Sequence, residues 1–199
     1  MNFAPALNIW THAFYDSALG SQQTFRAILE AMENPGRLVT VHGNPNVPEV
    51  FNSALAATCL TLLDCETPVW TDINSKSRAI SWLQFGCGSS VVTEPCMAHF
   101  AIVTKPAAMP VLDCFRIGRY EYREKATTIV VQVDDILPAT DNIYSNIFVD
   151  TSTQLEFEGV PDKFWHQWQQ LSSQNPLGID MFFTCEDVMT ALPKSKPIQ

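Results

Sequence analysis

Apolar positions along the chain follow two rhythms, and each predicts a different element. Between Ser21 and Asn34, residues Phe25, Ile28, Leu29 and Met32 recur at i, i+3, i+4 and i+7, the stripe of an amphipathic helix. Ser21 is suited to cap it and Pro35-Gly36 to end it, while Arg26 and Glu30 lie one turn apart and within pairing reach. A second helix is predicted from Pro48, whose missing N–H costs nothing in a first turn. From Ala54 to Leu63 it is apolar on nearly every side, which predicts burial on more than one face. A third amphipathic stretch, Lys76 to Phe85, gathers Ala79, Ile80 and Leu83 on one side. Phe164, Trp165, Trp168 and Leu171 mark a last helix with an aromatic face.

Strand-length runs alternate with these helices. Val69-Trp70-Thr71 follows the stop at Asp64 to Pro68, and Phe100 to Val103 and Thr127 to Val133 are apolar and β-branched. The run to Val133 has apolar neighbours in sequence, as a strand covered on both faces requires. Ile179 to Thr184 predicts another buried strand, and Ile147-Phe148-Val149 and Leu155-Glu156-Phe157 predict edge or hairpin strands. Ile136-Leu137-Pro138 reads as a turn. The expected architecture is an α/β sheet with helices against its faces. It fills one domain over residues 1–199, with an N-terminal arm (1–20) and an extended C-terminal tail (193–199).

Composition agrees with a self-sufficient core. A chain of 199 residues, 46% of them hydrophobic, buries roughly 70% of its unfolded surface. The net charge of -9 repels nucleic acid and anionic lipid and excludes them as main partners. The start, Met1-Asn2-Phe3-Ala4-Pro5, lacks the basic residues and apolar run of a signal peptide. The longest apolar stretch falls far short of the ~20 residues that span a bilayer. A cytoplasmic location is expected.

Candidate chemistry is sparse. Six cysteines (59, 65, 87, 96, 114 and 185) contain no Cys-x-x-Cys pair and read as free thiols, several of them buried. Neither a Walker-type nor a dinucleotide-type glycine loop is present. Gly86-Cys87-Gly88-Ser89-Ser90 is either an anion-holding turn or simply a turn. Pro95-Cys96-Met97-Ala98-His99 shares a fragment of the deaminase zinc signature, without the His-x-Glu that chemistry needs. No metal or cofactor is expected, and no catalytic residue is assigned. Asp134-Asp135 follows a predicted strand, where α/β sheets gather ligands. The pair suits either Mg²⁺ with a phosphate or a solvated strand end. Arg116, Arg119, Arg123 and Lys125 are the only dense basic cluster. If helical, the arginines share a face fit to grip phosphate or phosphonate, although Glu121 and Glu124 are interleaved. Together these groups would suit a stand-alone phosphate- or phosphonate-binding enzyme or a regulatory module. Trp10, Phe14 and Tyr15 in the arm, with Trp165 and Trp168, are candidate docking side chains. Core packing is the plainer reading of the last two.

Four motifs occur in order: Phe25-Arg26-x-x-Leu29-x-Ala31-Met32-x-x-Pro35-Gly36, then Leu62-Leu63-Asp64-x-Glu66-Thr67-Pro68-Val69-Trp70, then Pro176-Leu177-Gly178-Ile179-Asp180, then Leu192-Pro193-Lys194. From about residue 20 to residue 196 the chain resembles the PhnH family of carbon–phosphorus lyase subunits. It departs from the family at Phe85-Gly86-Cys87-Gly88, where members tend to read Phe-His-Thr-Gly. The resemblance implies a three-layer sandwich with a mixed sheet, similar to the large domain of pyridoxal-phosphate (PLP) transferases but without that cofactor. It implies a homodimer when isolated and a place beside PhnG, PhnI and PhnJ, with PhnL acting alongside. The work implied is support, without catalytic residues of its own, for transfer of ribose triphosphate from ATP to an alkylphosphonate with release of adenine. The motif residues are then structural or interface positions.

Overall fold

The computed structural model describes residues 17–42, 47–118, 126–138, 155–172 and 178–194. Helix α1 (Ser17–Glu33) starts earlier than the stripe suggests, so residues 17–20 of the expected arm are helical. Asn34 ends it, donating its backbone N–H and its side-chain Nδ2–H to Glu30 O, each at 3.0 Å. Gly36 then turns the chain at φ 84°. The buried face is Thr24, Ala27, Ile28 and Ala31, whereas Phe25 and Leu29 are 46% and 45% exposed. Only half of the stripe, Ile28 and Met32, therefore faces the core, where the small Ala27 and Ala31 let the helix lie close to its neighbours. Glu30 pairs with Arg37 at 3.1 Å rather than with the expected Arg26.

Strand β1 (Val39–Thr40) precedes helix α2 (Ser53–Leu62). The predicted start at Pro48 is corrected to Asn52, whose Oδ1 accepts the Leu55 N–H at 2.8 Å as an N-cap. Ala54 through Cys59 are all buried, as the apolar run requires. Strand β2 (Val69–Thr71), helix α3 (Arg78–Phe85) and strands β3 (Phe100–Val103) and β4 (Thr128–Gln132) lie where the sequence places them. The expected turn at Ile136 is instead strand β5 (Ile136–Pro138), antiparallel to β6 (Leu155–Phe157) in a separate ribbon. Helix α4 (Asp162–Ser172), strand β7 (Asp180–Cys185) and strand β8 (Val188–Leu192) complete the described chain. The Ile147–Val149 run, the arm aromatics Trp10, Phe14 and Tyr15, and residues 195–199 lie outside the described residues.

The main sheet has the order β1-β8-β7-β4-β3-β2. Strands β2, β3, β4 and β7 are parallel, whereas β8 and β1 run antiparallel to their neighbours. Successive strand residues point to opposite faces. Phe100, Ile102, Val130 and Phe182 join α1, α2 and α3 in one core. Ala101, Val103, Ile129, Val131 and Phe183 join α4 and the ribbon in the other. A mixed sheet therefore lies between two covering layers. Trp165 and Trp168 are buried in the second core, which makes them packing residues rather than free docking groups. Among the described residues no helix is long and apolar enough to cross a membrane.

Candidate functional site

Registry aligns Val69, Phe100, Thr128 and Asp180 along one rim, the amino edge of the parallel strands. Every motif segment placed next to a parallel strand meets this edge. In the 64–68 loop, Asp64 Oδ1 accepts from the Thr67 hydroxyl and from the Glu66 N–H at 2.9 Å. Those bonds, the hydroxyl first, hold the Asp64 carboxyl below its ordinary value of 3.8 although it is exposed. A carboxylate with a lowered folded pKa adds stability in full above its unfolded pKa and loses it as pH falls through the folded value. Asp64→Asn should therefore lower the thermal midpoint at neutral pH, and the gap from the native chain should close well below pH 3.8. Midpoints measured across that range test this, and a gap independent of pH would contradict it.

The 86–90 turn packs on the same loop, with the Ser89 hydroxyl donating to Asp64 O at 3.1 Å. Three of its N–H groups are committed inward: Gly86 and Cys87 donate to Trp82 O, and Ser89 donates to Leu83 O. The turn closes the end of α3 rather than opening a nest for an anion. Val69 donates to Ser90 O, and His99 donates to Pro68 O. Cys96 and His99, the residues of the zinc-like fragment, are exposed. Among the described residues, no three His, Cys, Asp or Glu side chains converge at metal-holding spacing.

Further along the rim, Asp180 clamps the end of β8. Its Oδ1 accepts the Lys194 N–H at 2.9 Å, and its Oδ2 meets Lys194 Nζ at 3.2 Å. Pro193 is buried, so the expected tail is anchored through Lys194. Gly178 has φ 148°, and a Cβ there would stand 3.0 Å from Lys194 Cβ. In the first motif, Phe25 and Arg26 are exposed, Met32 packs against the core, and Pro35-Gly36 forms the turn after α1. Of the motif residues, Pro35-Gly36, Asp180 and Lys194 fix connections.

Arg116 also lies at the amino edge, on extended chain rather than a helix. Its N–H donates to the Thr127 hydroxyl at 3.1 Å, and that hydroxyl donates to Ala98 O at 2.8 Å. Arg119, Arg123 and Lys125 lie outside the described residues. Asp134-Asp135 sits past the other end of β4, roughly 20 Å away at ~3.3 Å per residue. The structure therefore does not bring Arg116 and this acidic pair together.

Among the described residues, several polar groups at the carboxyl edge bond to one another or to the backbone, and some of these the sequence did not single out. Gln132 Oε1 accepts the Asn52 N–H at 2.7 Å, and Gln132 Nε2 donates to Val50 O at 3.1 Å. Asn52 Nδ2 donates to Thr184 O at 3.0 Å, and Ala54 donates to Glu186 O at 2.9 Å. The first turn of α2 is thereby tied to β4 and β7, with the Ala54 and Leu55 N–H groups both bonded. Asp72 accepts from the Thr104 N–H and hydroxyl and from the Lys105 N–H at 2.7–3.0 Å. Asp135 Oδ1 accepts from Ile136 N–H at 2.7 Å, while Asp134 is exposed. The signal that would have found Asn52 is its type: Asn is among the strongest N-caps.

All six cysteines are free, and Cys59, Cys87 and Cys185 are buried. Burial pushes the Cys87 thiol up to about 12. Burial and then neighbouring Cys87 raise Cys59. Cys185 is raised by burial and then by the carboxylates of Asp135, Glu186, Asp134 and Asp187. Protonated thiols of this kind are poor nucleophiles.

Residues 12–199 match the family model described as "Bacterial phosphonate metabolism protein (PhnH)". The chain is also 30% identical over 192 residues, covering 96% of each protein, to the alpha-D-ribose 1-methylphosphonate 5-triphosphate synthase subunit PhnH of Rhizobium meliloti.

Proposed function

The chain belongs to the PhnH family of bacterial phosphonate metabolism proteins, and from that premise we propose that it is a non-catalytic subunit of the carbon–phosphorus lyase core complex. In this role it works in the cytoplasm beside PhnG, PhnI and PhnJ, with PhnL acting alongside. It supports transfer of the ribose triphosphate of ATP to an alkylphosphonate with release of adenine. It acts as one domain, pairs with a second copy when isolated, and shares the scaffold of the PLP-transferase large domain without using that cofactor.

One observation carries the reading: near full-length likeness to a subunit of that synthase. The geometry supports it. The side chains of motif residues Asp64 and Thr67 close their own loop, and Asp180 and Lys194 tie the end of β8 to β7. At the carboxyl edge, the groups of Asn52, Gln132 and Asp72 are occupied by one another and by the backbone.

Co-expression with PhnG, PhnI and PhnJ should give one co-eluting assembly on gel filtration. The isolated chain, given ATP and methylphosphonate, should release no adenine. Adenine release by the chain alone would overturn the non-catalytic role, and separate elution would overturn the subunit role.

A further inference from the structure

Three loops meet around the amino end of β2: residues 64–68, 86–90 and 94–99. They are laced by the Ser89 hydroxyl on Asp64 O, by Val69 N–H on Ser90 O, and by His99 N–H on Pro68 O. At their margin stand Phe85, the last residue of α3, 77% exposed, and Met97, 61% exposed. No other large apolar side chain is so exposed among the described residues. Exposed apolar side chains carried by loops that bond to one another are a feature of surfaces that partners cover.

The charge of the surface says what kind of body. Asp64, Glu66 and Glu94 are all exposed there, and the three loops contain no Lys or Arg. The described base linked to these loops is Arg116, whose N–H reaches Ala98 O through the Thr127 hydroxyl, so the exposed carboxylates outnumber it three to one. Such a surface repels polynucleotides and anionic membranes and attracts a positively charged protein face. Aromatic and Met side chains are the types enriched at the centre of protein interfaces.

We propose that this face, with Phe85 and Met97 as anchors and Asp64, Glu66 and Glu94 around them, docks a cationic, apolar-pocketed face of another subunit of the assembly. The inference rests on the subunit reading above and adds the surface and the chemistry of its partner. Association through it is steered by charge and weakens with salt.

Cys65 and Cys96, both exposed in these loops, report on the face directly. The purified assembly and the free chain are treated with N-ethylmaleimide, and each thiol is followed by mass spectrometry. Cys65 and Cys96 should react about tenfold or more slowly in the assembly than in the free chain. In co-expression, Phe85→Asp with Met97→Asp should abolish co-elution while the urea midpoint of the isolated variant stays native. Glu66→Lys with Glu94→Lys should shift retention to a lower salt limit. Unchanged thiol rates in an intact assembly, or co-elution by the Phe85→Asp, Met97→Asp chain, overturn this proposal alone. If the native chain fails to co-elute, the subunit reading falls and this one falls with it.

Discussion

Phe183→Ala should lower the free energy of unfolding by about 3–5 kcal/mol, the largest loss expected from one side chain here. Phe183 is fully buried near the middle of β7. Its ring centre lies 4.2 Å from that of Phe157, 5.9 Å from Trp165 and 6.1 Å from Phe164. Truncation removes the transfer free energy of the ring and leaves a hole that three rigid rings cannot collapse to fill. Urea unfolding followed by tryptophan fluorescence reads the effect, because Trp165 and Trp168 line the same core. A loss below about 1.5 kcal/mol would mean that β7 and α4 are less tightly joined than the ring geometry requires.

Gly178→Ala should cost about 2 kcal/mol, from two separate causes. One is backbone: at φ 148° a Cβ brings strain worth ~1–3 kcal/mol. The other is contact, because the new Cβ would press on Lys194 Cβ at 3.0 Å and disturb its pairing with Asp180. Gly159→Ala provides the comparison. It also has positive φ, 86°, but its nearest neighbour is Asp134 Oδ2 at 3.4 Å, an ordinary contact. Gly178→Ala should therefore be the more damaging substitution in thermal melts. Equal losses would assign the whole effect to the backbone and none to the Lys194 contact.

The centre of the sheet was legible in the sequence because its strands are covered on both faces. Phe100 to Val103, Ile129 to Val131 and Met181 to Phe183 are unbroken apolar runs for that reason. Its outer parts were not. Strand β8 reads Val-Met-Thr-Ala-Leu, with three helix formers (Met, Ala, Leu) against two strand formers. The turn before it uses Glu186 at φ 49°, where a glycine or asparagine would have signalled a hairpin. Strand β1 has two residues, too few for any periodicity. Pro48 drew the start of α2 too early because proline favours a first turn, whereas the cap that decides it is Asn52. In α1 the periodicity was right and half of the stripe faces the core: Ile28 and Met32 go inward with Ala27 and Ala31, whereas Phe25 and Leu29 stay outside.

The motif positions were legible as connections, since Asp-x-x-Thr and Gly-x-Asp describe local turns and caps whose chemistry is self-contained. The partners that complete them were not. Nothing in sequence ties Asp180 to Lys194 or Ser89 to Asp64, because those pairs meet only when the strands are in register. The same holds for the separation of Arg116 from Asp134-Asp135, which follows from the direction of β4.

The rims of the main sheet have a consequence for oligomer chemistry. One is the two-residue β1. At the other, the three-residue β2 already receives Val92 N–H on Val69 O and gives its own N–H to Ser90 O. Among the described residues, neither offers an incoming polypeptide a ladder long enough to grow on. At these two edges a neighbour meets side chains instead of a free backbone ladder, which guards them against fibrous, strand-by-strand stacking.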